Sequence, residues 1–336
     1  MSLSINQAAA LLERGGLVAF PTETVYGLGA DAENPLAVAA IYAAKGRPPN
    51  HPVIVHLAPE ADLHYWVSEV PPEAQRLIDA FWPGPLTLIL PRHARIPAAV
   101  SGGQDSIGVR CPSHPVAQAL LRAFKGGQGG IAAPSANKFG RVSPTTAQHV
   151  REEFRTEIER AEVAVLEGEQ SEVGIESTIV DLTRLATHGP VLLRPGQIST
   201  DQLAAVLGKP VAQADASAPR ASGTLEAHYA PSTPVVIVEH ALLAPTLQQL
   251  QAAGRRVALL HYLSGPVAAT QIQLSADAAS YAHALYASLR QLDAAGADVI
   301  VVQALPESTE WQGVRDRLRR AAHDSLGVLA GLLKRD

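Results

Sequence analysis

The stretch Gly16-Leu17-Val18-Ala19-Phe20-Pro21-Thr22-Glu23-Thr24-Val25-Tyr26-Gly27-Leu28-Gly29 decides how this chain is read. Residues 16–20 are a short apolar run bounded by glycine and proline, the pattern of a buried strand. A strand that ends in Pro-Thr-Glu-Thr and meets Gly-x-Gly stops pairing and turns its backbone outward. The hydroxyls of Thr22, Thr24 and Tyr26 then lie at a strand's carboxyl end, where open α/β sheets hold ligands. Lys45 and Arg47 follow in Lys45-Gly46-Arg47-Pro48-Pro49, and His56 ends the run Val53-Ile54-Val55. Hydroxyls, fixed cations and an imidazole near strand ends suit a small polar molecule together with a polyphosphate.

Working outward, 336 residues are enough for two domains, each with its own core. Hydrophobic residues at 47% and charged ones at 18% give a globular profile. A net charge of -5 supplies no bulk attraction for nucleic acid, so strong direct binding is not expected. The densest basic run, Arg315-Asp316-Arg317-Leu318-Arg319-Arg320, falls in a helical pattern and reads as a solvated face. Cys111 is the single cysteine, which excludes an intrachain disulfide and a Cys-based zinc site. The first ten residues lack a basic segment before an apolar core, and no apolar run reaches membrane-spanning length. A cytoplasmic protein without membrane contact is the expectation.

Helical spacing follows over 4–14, with Ser4 as N-cap, and over 35–44, with Pro35 in the first turn. Further helices are predicted over 72–81 and 114–124 and from Ala147, and strands over 53–57, 86–90, 106–110, 131–133, 163–166, 177–181 and 191–194. Strands outnumber helices here, so residues 1–206 are expected to form an α/β domain built on a twisted, mixed, open sheet. Residues 207–233 read as a linker, because the composition shifts to Ala, Pro, Ser and Gln without apolar periodicity. Strands at 235–238, 257–260 and 299–302 then alternate with helices at 244–253, 276–294 and 311–322. That alternation predicts a smaller Rossmann-like parallel α/β domain over 234–336.

Several motifs compete for the loops. Gly27-Leu28-Gly29-Ala30-Asp31-Ala32 fits G-x-G-x-x-A after a strand, but the acidic ribose ligand of a dinucleotide site is missing where Lys45 and Arg47 stand. No G-x-x-x-x-G-K-[ST] occurs, and Ser135 is not in a G-x-S-x-G elbow. Arg110, Arg141 and Arg194 add cations at strand ends or loops and strengthen a phosphate or carboxylate reading.

These pieces together resemble the YrdC-type threonylcarbamoyl-AMP synthases. The resemblance is carried by Pro21–Gly29, Lys45-Gly46-Arg47-Pro48, Ser135-Ala136-Asn137, Ser143-Pro144-Thr145, Glu176-Ser177-Thr178-Ile179-Val180-Asp181 and Leu193-Arg194-Pro195-Gly196. His228-Tyr229-Ala230-Pro231 before an alternating segment is similar to the family's longer two-domain subtype. The one departure is His51 in Asn50-His51-Pro52-Val53, where the family often reads Asn-Pro-Leu.

The resemblance implies synthesis of L-threonylcarbamoyladenylate from L-threonine, bicarbonate and ATP, with Mg2+ and release of pyrophosphate. The product would pass to a separate transferase complex that modifies the adenosine beside the anticodon of tRNA. It places Thr22, Thr24, Tyr26, His56, Arg110 and Ser177 on L-threonine. Lys45, Arg47, Ser106, Ser135, Asn137, Ser143 and Arg194 go to the nucleotide, Lys45 and Arg47 carry the catalytic role, and no residue is expected to ligate a metal. Tyr229, on the linker, is expected to close over the pocket as a lid and touch the nucleotide. A nucleic-acid module is disfavoured by charge. A carbamoyl-transfer domain of the hydrogenase-maturation kind is excluded by its missing Cys-rich zinc motifs.

Overall fold

The structure is a computed structural model that describes residues 3–225 and 227–333. Residues 1 and 2 of the N-terminal stretch, 226 of the expected linker and 334–336 of the last segment lie outside the described residues. The chain forms two compact units, one of residues 1–139 and 143–224, the other of 140–142 and 225–336.

The first unit is built on ten strands: β1 Leu17–Phe20, β2 Gly27–Asp31, β3 Ile54–Leu57, β4 Leu86–Pro91, β5 Ser106–Arg110, β6 Gly130–Ala132, β7 Val163–Val165, β8 Thr178–Asp181, β9 Val191–Arg194 and β10 Ala212–Gln213. They lie in the order β10-β9-β8-β4-β5-β3-β6-β2-β1-β7. Pairs β1/β7, β3/β5, β4/β8 and β9/β10 are parallel, and the remaining neighbours antiparallel. The sheet is mixed, as the strand-rich pattern predicts.

The helix Ile5–Glu13 begins with a capping box in which Ser4 and Gln7 exchange hydrogen bonds. The helix Pro35–Lys45 has Asn34 as N-cap and ends on Gly46 in the left-handed region at φ 64°. That termination sets Lys45 and Arg47 on a fixed turn, not on a frayed end.

Three expectations change. The Gly-x-Gly of residues 27–29 is not a phosphate loop but the strand β2, paired with β1 and β6. A Cβ on Gly29 would stand 2.8 Å from both Ile131 and Phe20, so this glycine serves close packing. The dinucleotide reading therefore fails, because no helix starts there. The stretch 207–221 is not slack: β10 pairs with β9, and Ala218 and Ala221 pack on Ile54, Ile89, Ile179, Val191 and Leu193. The basic run 315–320 is not a solvated face. Asp316, Arg317 and Arg320 are buried, with Arg317 0% exposed, because the carboxylate of Asp316 pairs with both arginines.

The second unit holds β11 Val235–Val238, β12 Val257–His261, β13 Thr270–Gln273 and β14 Val299–Gln303, ordered β11-β14-β12-β13 and parallel throughout. The helices Leu243–Ala252, Ala278–Ala294 and Gln312–Ala321 connect or follow these strands, as a parallel sheet requires. No described helix is long and apolar enough to cross a membrane. Cys111 is buried, and burial pushes its thiol up to about 12.

Candidate functional site

The site grows from the turn after β1. The Thr22 hydroxyl donates to the Val25 carbonyl at 2.6 Å and accepts from the Thr24 and Val25 amides at 3.3 Å, a side-chain turn that needs no glycine. Its single proton being spent, Thr22 accepts the Thr24 hydroxyl at 2.9 Å, and Thr24 in turn accepts Arg110 Nη1 at 2.9 Å. Arg110 ends β5, where parallel pairing sets it opposite His56 of β3. Its Nη2 meets Glu23 Oε1 at 2.6 Å and its Nε meets the Gly84 carbonyl at 3.2 Å.

His56 is buried, edge-on to Phe20 with ring centroids 6.1 Å apart, and its Nδ1 has no hydrogen-bond partner. Burial first, and then the Arg110 charge, depress its pKa to about 3, so the imidazole is neutral throughout the working range.

Backbone pairing brings the second loop alongside. The Tyr26 amide donates to the Pro144 carbonyl, the Leu28 amide to Pro134 and the Ala136 amide to Tyr26, each at 2.8 Å. Lys45 is sealed from solvent, and its ammonium donates to the Ser135 carbonyl at 2.5 Å and to the Asn137 carbonyl. Burial, then repulsion from Arg47, holds its pKa well below the ordinary lysine value. Ser143 donates to the buried carboxylate of Glu176 at 2.5 Å.

Arg194 closes the third side. Its Nε and Nη2 reach the Ser177 carbonyl at 3.1 and 2.9 Å, and Nη2 reaches the Ser177 hydroxyl at 3.1 Å. That hydroxyl also bonds Thr87 of β4 at 2.8 Å. Ser222 joins two of the cations, its carbonyl accepting Arg194 Nη1 at 2.9 Å and its hydroxyl accepting Arg47 Nη2 at 3.4 Å. Ser106 shares a face of β5 with Gly108 and Arg110 and lines a small cavity with Arg220, Ala221 and Ser222.

Thr22, Thr24, His56, Arg110 and Ser177 thus join Lys45, Arg47, Ser106, Ser135, Asn137, Ser143 and Arg194 in one unit. Two residues stand differently. Tyr26 is a core residue, 0% exposed, whose hydroxyl donates to the Gly168 carbonyl at 3.1 Å and whose pKa burial raises to about 12. Tyr229 belongs to the second unit, 1% exposed, stacked on Tyr286 at 5.9 Å with the Arg317 guanidinium 5.2 Å from its ring centre. Sequence reasoning passed over Glu23 and Ser222. Glu23 stood inside the quoted motif, and an acid set between two threonines was the available signal. Ser222 carried none.

The sequence model of the Sua5/YciO/YrdC family, described as telomere recombination, matches residues 10–196. A second model, described as the threonylcarbamoyl-AMP synthase C-terminal domain, matches residues 198–323. A protein of Pyrococcus abyssi named threonylcarbamoyl-AMP synthase is 38% identical over 330 residues, covering 95% of this chain and 94% of its own. The chain belongs to the Sua5/YrdC family of threonylcarbamoyl-AMP synthases. A synthase of the same name from Bacillus subtilis is 38% identical over 332 residues, with 95% of this chain and 92% of that protein covered. The crystal structure of P. abyssi Sua5 complexed with L-threonine superposes with a TM-score of 0.87 and 36% identity, covering 96% of this chain and 94% of that one. The two-domain Sua5 type is therefore established across both units. The boundary between the two Sua5 family matches falls near 197, whereas the compact units divide after Thr224. The intervening residues, Ser222 among them, pack with the first unit.

Proposed function

We propose that this chain is a threonylcarbamoyl-AMP synthase, making L-threonylcarbamoyladenylate and pyrophosphate from L-threonine, bicarbonate and ATP. The observation that carries the reading is Lys45, a sealed ammonium held by two backbone carbonyls with its pKa depressed beside Arg47. A cation kept at that cost is stabilised when an anion arrives, and a triphosphate supplies one. The threonine amine, in its uncharged form, attacks bicarbonate with loss of water, or CO2 with loss of a proton from the nitrogen, to give a carbamate. A carbamate oxygen attacks the α-phosphorus, the bond to the bridging oxygen breaks, and pyrophosphate leaves with the electron pair. Lys45, Arg47 and Arg194 face the departing charge, so the chemistry is positioning and electrostatic stabilisation without a covalent enzyme intermediate.

Magnesium bound to the triphosphate would supply neutralisation of phosphate charge. Among the described residues no group of three His, Cys, Asp or Glu side chains is placed to hold a metal. The product, an activated carbamoyl adenylate, goes to a separate transferase acting on tRNA, and the setting is cytoplasmic.

Pyrophosphate release measured with Mg2+-ATP and bicarbonate, with and without L-threonine, tests the reading. Release that depends on both threonine and bicarbonate and disappears in Lys45→Ala supports it. Release that ignores threonine, or no release from folded protein, overturns it.

A further inference from the structure

The turn after β1 holds a buried ion pair with its hydrogen bonding half used. Arg110 has five N–H donors, of which three go to Gly84, Thr24 and Glu23. One N–H therefore remains on each terminal nitrogen. Glu23 is 2% exposed; Oε1 is taken by Arg110, while Oε2 is sealed and accepts nothing. A buried carboxylate oxygen without a donor is costly and calls for a physical reason. Arg110 is its one ion-pair partner among the described residues.

A pair of this kind has no net charge to attract a simple anion or cation. It instead offers spare donors at one end and a spare acceptor at the other, side by side. A zwitterion has the complementary pattern. With Arg110 already placed on the substrate carboxylate by the family resemblance, we propose that Glu23 completes the receptor for the α-amino acid backbone, its Oε2 accepting the α-ammonium beside the spare Arg110 N–H groups. The proposal rests on the threonine reading of this site and adds Glu23 as the residue that selects an amino acid over a plain hydroxy acid. Thr24, held by Arg110, fixes the angle of the guanidinium, and neutral His56 adds no competing charge beside the pair.

Calorimetric binding to the full chain tests it, with L-threonine, 3-hydroxybutanoate (which lacks the amine) and L-threonine amide (which lacks the carboxylate). On wild type, removing either charged group should weaken binding about 30-fold or more, the scale of a lost hydrogen bond to a charged group. In Glu23→Gln, L-threonine should weaken by a similar factor, while 3-hydroxybutanoate binds equally well or better, because Arg110 is relieved of its counter-charge. Equal losses for both ligands would make Glu23 only a support for Arg110 and overturn the proposal. So would an amine that is worth less than about 3-fold on wild type, a comparison that needs no variant to fold. Wild type that binds ATP but no L-threonine would sink the threonine reading itself, and this proposal with it.

Discussion

Replacing His56 by Gln should remove a pH dependence from the stability of the first unit. His56 is 3% exposed and stays neutral down to about pH 3, whereas an imidazole in the unfolded chain protonates near its ordinary value of about 6.5. The native form binds fewer protons than the unfolded form between those values. The stability contribution is therefore fully present above about 6.5 and is lost as pH falls toward 3. Between pH 7 and pH 5 the linkage is worth about 2 kcal/mol. At pH 5 the native imidazole is still uncharged, so the figure barely depends on where below 4 it titrates. Urea unfolding at the two pH values reads it directly. With a slope of about 2–3 kcal/mol/M, the wild-type midpoint should fall about 0.7–1 M more than that of His56→Gln. Glutamine also loses the edge contact with Phe20, but that cost is the same at both pH values and cancels. Midpoints that fall in parallel within about 0.2 M would refute the reasoning, since His56 would then titrate like an exposed imidazole. The companion expectation is kinetic: the KM for threonine should show no inflection near pH 6.5.

Gly196→Ala should be severe, because its Cβ would stand 2.4 Å from the Thr178 amide nitrogen and 2.8 Å from the Ser177 carbonyl carbon, backbone atoms that cannot rotate away. The clash and the strained Thr178 amide bond to Pro85 should together cost about 3–5 kcal/mol, lowering Tm by about 6–20 °C; Gly331→Ala, where nothing lies within 4 Å, is the control, and a Tm within 2 °C of wild type for Gly196→Ala would contradict the packing argument. Phosphate charge raises the depressed pKa of Lys45 toward its ordinary value, so whatever fraction of Lys45 burial leaves uncharged in the free protein takes up its proton when ATP binds. The binding enthalpy at pH 8 should then rise with the ionisation enthalpy of the buffer and lose that slope in Lys45→Arg, and a flat wild-type plot would mean that Lys45 is fully charged before ATP binds and would count against a pKa depressed that far.

Most strands were legible because burial on both faces of the two sheets demands apolar runs, as in residues 17–20 of the first and 299–302 of the second. β2 was not, since two glycines in five residues mimic a loop; only the packing of Phe20 and Ile131 over Gly29 explains them as strand residues. β13, Thr-Gln-Ile-Gln, alternates exposed and half-buried positions at the edge of its sheet and has no apolar run to announce it. Cations and hydroxyls of the site could be picked out by type and by position at strand ends. The role of Glu23 depends on Arg110, 87 positions away, and no local pattern links them. Ser222 is equally non-local: a segment of linker composition is held by two small alanines on an isoleucine face and by two arginines. Tyr26 shows the converse, a hydroxyl of the expected kind and position that in this structure donates to the Gly168 carbonyl.

The strand order has a consequence for synthesis. β1 pairs with β2 almost at once, but its other edge is filled by β7, whose residues 163–165 follow about 140 positions later. At translation rates of about 5–20 residues per second, that edge waits roughly 7–30 s for its partner. Val18 and its neighbours are meanwhile an unsatisfied template for any other extended chain. The nascent first unit is therefore exposed to strand-mediated misassembly for most of its synthesis, and substitutions that extend or flatten β1 should show first as poor yield, not as a weaker enzyme.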